Sequence, residues 1–221
     1  MTNVKTGKTY IRRKLMDTTK VYIACTDELN NDAVYAKLYS LMPKERQKKA
    51  DRLLKREDKN LCVAAFILLQ KALGNEGVTD FEVFTDENGK PYLKGREDVF
   101  FSISHSGNIV MCAVSGKEVG CDVQKIKEVN LSVCERFFSK EETDYIKAQK
   151  DQNDAFIRLW TLKESSAKMT GKGLTVSFDN ISDSDVYFKE YDAVDGYKCS
   201  VCCKTDKISD VQIIDIIKKD C

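Results

Sequence analysis

A chain of 221 residues with 42% hydrophobic and 32% charged residues is long enough to bury a substantial core and too apolar to remain disordered. Its formal net charge of +1 gives no general attraction to nucleic acid or to a membrane surface. Nine cysteines, odd in number and irregularly spaced, argue against a disulfide scaffold and for reduced thiols in a cytoplasm, and no stretch reaches the roughly 18 apolar residues of a membrane span.

Residues 1–18 are polar and basic, lack the apolar segment of a secretory signal, and read as a loosely attached extension. The fold then begins with a strand over residues 21–25. Helical periodicity fills residues 32–73, with Pro43 at a helix start and an apolar face of Leu53, Leu54, Leu61, Ala64, Phe66, Leu68 and Leu69. Strands are predicted over residues 81–84, 100–104 and 109–114, separated by Asn88-Gly89 and Ser106-Gly107-Asn108, which supply the positive-φ positions of tight turns. The order then repeats, with a strand over 119–123, helices over 131–170, and strands near 186–191, 197–202 and 211–217. Ser139 followed by Glu142 is a capping box, and Gly171 after Met169 is a helix stop. The pattern predicts an α+β fold of two similar subdomains, 19–115 and 116–221, related by a pseudo-twofold axis. No low-complexity linker separates them, so they are expected to share a rigid interface.

The single histidine, His105, lies in Phe101-Ser102-Ile103-Ser104-His105-Ser106-Gly107, where a strand delivers it to a glycine turn together with hydroxyls. Such a turn is either an anion contact or a surface turn whose polar groups satisfy one another. A serine hydrolase is excluded, since there is no G-x-S-x-G elbow and no second histidine. Asp122 and Gln124 share one face of their strand by its period of two, and oxygen ligands there would suit a hard cation such as Mg²⁺ once a second carboxylate joined them. Glu164 is the candidate. Lys168 lies one helical turn beyond it, and by spacing alone the default reading of the pair is a surface ion pair of about 0.3–0.5 kcal/mol. Thr170-Gly171-Lys172-Gly173 is flexible and basic without the spacing of a P-loop. Residues 44–56 concentrate lysine and arginine; Arg46 and Lys49, three apart, could share a phosphate, while no aromatic platform suggests nucleic-acid binding. Cys199, Cys202 and Cys203 include a C-x-x-C spacing, but no second pair completes a zinc tetrad.

In order and spacing these segments resemble the Sfp-type 4′-phosphopantetheinyl transferases, over about residues 43–180. The resemblance is carried by Gly89-Lys90-Pro91, Ile103-Ser104-His105-Ser106, Gly120-Cys121-Asp122, Arg136-Phe137-Phe138-Ser139 with Glu142, and Trp160-Thr161-Leu162-Lys163-Glu164 with Lys168 and Gly171-Lys172-Gly173. It implies a Mg²⁺-dependent enzyme that moves the phosphopantetheine arm of coenzyme A to a serine of an acyl or peptidyl carrier protein, from a cleft between the two subdomains. It further implies Asp122, Glu164 and Gln124 around the metal; Lys90, Ser104, His105 and Lys168 at the phosphates; Arg46 and Lys49 at the 3′-phosphate; and Glu164, Lys168 and His105 in catalysis. The chain departs from many bacterial members at Gln124, where they carry an acid, and near Leu61 and Cys62, where the usual polar contacts are absent. A monomeric cytoplasmic enzyme serving fatty-acid, polyketide or nonribosomal-peptide synthesis is expected, with residues 125–138 as carrier docking surface through exposed Val129 and Leu131. The competing expectation is a non-catalytic coenzyme A or nucleotide-binding protein of the same fold.

Overall fold

The computed structural model describes residues 16–173 and 185–218. Its main layers run helix, sheet, sheet, helix. The first sheet has the order β4-β5-β1-β9, formed by β1 (Thr19–Cys25), β4 (Phe100–Ser106), β5 (Ile109–Ser115) and β9 (Ile208–Ile213). β1 is antiparallel to β5 and parallel to β9, and β4 and β5 form a hairpin that places Ser104 opposite Met111. Strand alternation divides this sheet. Tyr22, Ala24, Val110, Cys112 and Val114 pack against α3 (Arg56–Asn75), whose Ala64, Ile67 and Leu68 are buried. Val21, Ile23, Ile109, Met111 and Ala113 face the second sheet.

That second sheet has the order β6-β8-β7, from β6 (Val119–Lys125), β7 (Tyr187–Tyr191) and β8 (Tyr197–Cys203). Val119, Cys121, Val123, Cys199 and Val201 meet the first sheet, and the alternate residues of β6 and β8 turn to α6 (Gln152–Thr170). Ser200 donates to the Thr161 carbonyl at 2.7 Å and Cys202 lies against Met169. A long helix on a sheet thus occurs twice, as the expected pairing of α+β halves requires. Gly120 makes the second packing possible: a Cβ there would stand 1.9 Å from the Ser165 carbonyl oxygen of α6. A third cluster, around Phe138, Ile146 and Phe156, joins α4 (Cys134–Phe137) and α5 (Lys140–Ala148) to α6. The Ser139–Glu142 capping box starts α5, and Gly171, at φ 72°, ends α6 in the left-handed conformation that glycine adopts without strain.

Several expectations change. The helical stretch over residues 32–73 is three helices, α1 (Asp32–Ser40), α2 (Lys44–Asp51) and α3, with Pro43 capping α2. Leu54 falls in the break before α3 and is 96% exposed rather than part of the apolar face. β2 (Val83–Thr85) pairs with β3 (Pro91–Leu93) across the turn at Gly89; β3 has only three residues, too few for alternation to declare itself. The last strand, β9, leaves its neighbours in sequence and joins β1. Val129 and Leu131 are half-buried against the third cluster, because the chain after β6 folds back onto α5 and α6. The C-x-x-C spacing places Cys199 toward the first sheet and Cys202 toward α6, so the two thiols point to opposite faces and make no zinc site. The eight described cysteines are free. Of the N-terminal extension, residues 1–15 lie outside the described residues, while Met16 packs on the first core.

Candidate active site

Three elements from both halves converge where the edge strand β4 passes β6. β4 presents Ser102, Ser104 and Ser106 on the face toward the second sheet, β6 presents Asp122 and Gln124, and α6 brings Glu164 and Lys168 on one face by their spacing of one turn. Asp122 is 1% exposed, and a carboxylate so deep requires partners. Its Oδ1 accepts from the Ser104 hydroxyl at 2.6 Å and from Lys168 Nζ at 2.7 Å, and Lys168 also donates to Ser104 Oγ at 2.8 Å. Its Oδ2 accepts from Gln124 Nε2 at 3.2 Å, and the Ser106 hydroxyl donates to Gln124 Oε1 at 3.4 Å.

Lys168 is therefore not the partner of Glu164. It belongs to Asp122, and the Glu164 carboxylate makes no hydrogen bond among the described residues. Burial raises the Glu164 pKa above the ordinary carboxylate value, the charge of Asp122 raises it further, and Lys168 opposes both. The one ammonium nearby pairs with Asp122 and leaves Glu164 without a direct partner among the described residues. Lys90, carried by the β2–β3 turn, is buried; it lies against Gly171 and donates its Nζ to the Met169 carbonyl at the end of α6. Burial lowers its pKa, with Glu118 and Asp86 opposing.

A cavity of about 480 Å³ opens between the β2–β3 turn, β4 and α6, lined by Asn88, Gly89, Lys90, Phe101, Glu164 and Lys168 among others. His105 lies outside that lining, on the face of β4 it shares with Phe101 and Ile103 and opposite to Ser104. Packed surroundings, then Lys168 and Lys49, push its pKa below the usual imidazole value, which favours the neutral ring, while Asp58 and Asp122 pull the other way. Lys49 and Arg46, on successive turns of α2, make no ion pair among the described residues, and both bias the half-exposed Cys62. The structure thus collects Asp122, Gln124, Glu164, Lys168 and Ser104 in direct proximity, lines the adjoining cavity with Lys90, and leaves His105, Lys49 and Arg46 outside that lining.

Three contributors were given no role by the sequence. Ser102 Oγ accepts the Cys121 N–H at 3.0 Å, Gly120 admits α6, and Lys163 forms a buried pair with Glu142 at 2.9 Å that ties α5 to α6. A glycine inside a strand does signal close backbone approach, so Gly120 was the one with a legible cue.

The sequence profile of the 4′-phosphopantetheinyl transferase superfamily matches residues 118–212, the part that holds β6, α6 and both carboxylates. The chain is 31% identical over 204 residues to the 4′-phosphopantetheinyl transferase Sfp of Bacillus subtilis, covering 83% of this chain and 91% of the relative. The chain belongs to the 4′-phosphopantetheinyl transferase family. A second Bacillus subtilis transferase, ffp, is 30% identical over 217 residues, 88% of this chain and 97% of the relative. The transferase gsp of Aneurinibacillus migulanus is 30% identical over 203 residues, covering 81% and 84%. Each is named as a transferase and none as a binding protein without catalysis, which agrees with the enzyme expected from the motifs and gives the non-catalytic alternative no support.

Proposed function

We propose that this transferase moves the phosphopantetheine arm of coenzyme A to a serine hydroxyl of an apo acyl or peptidyl carrier protein and releases 3′,5′-ADP. The observation that carries the reading is the Ser104–Asp122–Lys168 cluster with Glu164 beside it and without a hydrogen bond, in a chain of this family. The serine oxygen attacks the phosphorus nearer the pantetheine, the bond from that phosphorus to the bridging oxygen breaks, and the electron pair leaves on 3′,5′-ADP. Glu164, with its raised proton affinity, takes the serine proton on a carboxylate oxygen. Lys168 and Lys90 offer ammonium donors to phosphate oxygens, and the Ser104 hydroxyl and neutral His105 offer hydrogen bonds. Lys49 and Arg46, free of ion pairs among the described residues, suit the 3′-phosphate.

A divalent cation such as Mg²⁺ fits the same cluster, because two carboxylates lie near each other, only Asp122 is paired with the nearby ammonium, and Glu164 has no hydrogen-bond partner among the described residues. Asp122 and Glu164 would hold it, and it would supply positive charge to the pyrophosphate. Gln124, expected as a third ligand, stands beside Asp122. The described residues contain no group of three or more His, Cys, Asp or Glu able to hold a metal, so substrate oxygens and water would complete the shell. No helix among the described residues is long and apolar enough to cross a membrane. The free thiols support a reducing cytoplasm as the place of work, and the monomer is the proposed working form.

Incubation with coenzyme A, Mg²⁺ and a panel of apo carrier proteins from fatty-acid, polyketide and nonribosomal-peptide synthesis should add the mass of one phosphopantetheine arm to a carrier serine. No mass gain on any member of the panel would overturn the reading.

A further inference from the structure

Gln124 sits in the middle of a directed hydrogen-bond chain. Its Nε2 donates to Asp122 Oδ2 at 3.2 Å, and its Oε1 accepts from Ser106 at 3.4 Å. The chemistry of Asp122 fixes that direction. A carboxylate paired with Lys168 has no hydrogen to give, so only the amide nitrogen can bond to Asp122. With the nitrogen turned to Asp122, Oε1 faces Ser106, whose oxygen accepts the Lys125 N–H at 3.0 Å and whose hydroxyl hydrogen is free to donate to Oε1. A hard divalent cation binds amides through oxygen. With Oε1 held by Ser106, the end of Gln124 nearest the carboxylates is the one that cannot ligate.

We propose that Ser106 is a positioning residue: it locks the Gln124 amide with its nitrogen toward Asp122, so that Gln124 orients the Asp122 carboxylate and is not itself a cation ligand. The proposal rests on the metal-dependent transfer proposed above and assigns the division of labour inside that site. Asp122 Oδ1 is then set by Ser104 and Lys168, and Oδ2 by Gln124, so both oxygens are aimed before any cation arrives.

The test is Mn²⁺ binding by the full-length protein without coenzyme A, read by electron paramagnetic resonance of the free ion. Ser106→Ala releases the amide, which can then reverse and offer Oε1. Mn²⁺ should bind about threefold to tenfold tighter, the range one ordinary hydrogen bond commands. Ser106→Thr keeps the hydroxyl and should keep the wild-type affinity. On a Gln124→Leu background, Ser106→Ala should change nothing. Unchanged or weaker binding by Ser106→Ala, or the same tightening without the amide, would overturn the proposal. Should Ser106→Ala fail to fold, ¹⁵N NMR of the wild-type Gln124 side-chain amide during Mg²⁺ titration decides: its protons should stay hydrogen-bonded throughout, and release of the amide on Mg²⁺ addition overturns the lock. Saturable Mn²⁺ binding that ignores Ser106→Ala sinks this proposal alone. Absence of Mn²⁺ binding by the wild-type protein sinks the metal reading beneath it, and this proposal with it.

Discussion

Replacing Gly120 by alanine should cost this enzyme most of its activity although residue 120 has no side chain and faces the backbone of α6. Its φ is not positive, so alanine meets no backbone barrier, and the loss of unfolded-chain entropy alone would stabilise by about 0.4–1 kcal/mol. Packing decides the sign. The new Cβ would lie 1.9 Å from the Ser165 carbonyl oxygen, 2.4 Å from the Met169 nitrogen and 3.0 Å from the Lys168 carbonyl carbon, all backbone atoms of α6 that no rotamer change can move. Ordinary C–H···O contacts begin near about 3.3 Å, so the helix must retreat by more than about 1 Å. Overpacking of this kind costs about 1–3 kcal/mol, which outweighs the entropic gain and lowers Tm by a few degrees in a chain of this size. The same retreat draws Lys168 from Asp122 and Ser104, now at 2.7 and 2.8 Å, and carries Glu164 with it. Misplacement by about 1 Å costs on the order of 10²-fold in rate. Transfer kinetics and thermal denaturation of Gly120→Ala should show both losses; wild-type kcat with an unchanged Tm would refute the claim that close approach of α6 builds the site.

Other substitutions divide the site by task. Glu164→Gln should nearly abolish transfer while calorimetry still detects coenzyme A, because it removes the proposed proton acceptor and metal ligand but few ground-state contacts; full turnover in that variant would dismiss Glu164 as the base. Lys49→Ala should raise KM for coenzyme A more than for dephospho-coenzyme A, which lacks the 3′-phosphate, and equal losses for the two substrates would take Lys49 away from that group. Lys163→Met should destabilise the fold by about 3 kcal/mol, since it leaves the largely buried Glu142 without its cation, and a double-mutant cycle with Glu142→Gln should recover part of that loss; strictly additive effects would show that the pair is not coupled.

Much of the site was legible because its residues lie on regular elements with known periods. Asp122 and Gln124 share a face by alternation, and Glu164 and Lys168 by the helical turn, so two face assignments needed no tertiary knowledge. The partner of Lys168 was not legible. Spacing offered Glu164 one turn away, whereas burial gave the lysine to Asp122, because a carboxylate at 1% exposure has the greater need of a cation. Ser102 and Ser106 were given no role of their own by the sequence and acquire one only when β4 is laid beside β6. Leu54 looked like core because sequence periodicity cannot see the break between α2 and α3, and β9 looked like part of the second half because nothing local tells a strand which sheet it will enter.

The position of the site follows from how the two sheets meet. β4 and β6 run side by side but belong to different sheets, with no backbone ladder between them. Their contact is made instead by the three serines of β4: Ser102 accepts the Cys121 N–H, Ser104 donates to Asp122, and Ser106 accepts the Lys125 N–H. A ladder would spend the strand's backbone groups on each other; hydroxyls both give and accept, so one row of serines can hold a main chain at two points and a carboxylate at the third. Because the middle tooth of this seam is the Ser104–Asp122 bond, any shift of one half against the other is also a shift of the carboxylate. The closeness of the halves and the aim of Asp122 are one geometric quantity, which is why the buried seam, rather than the exposed basic helix α2, is where small changes should cost the most.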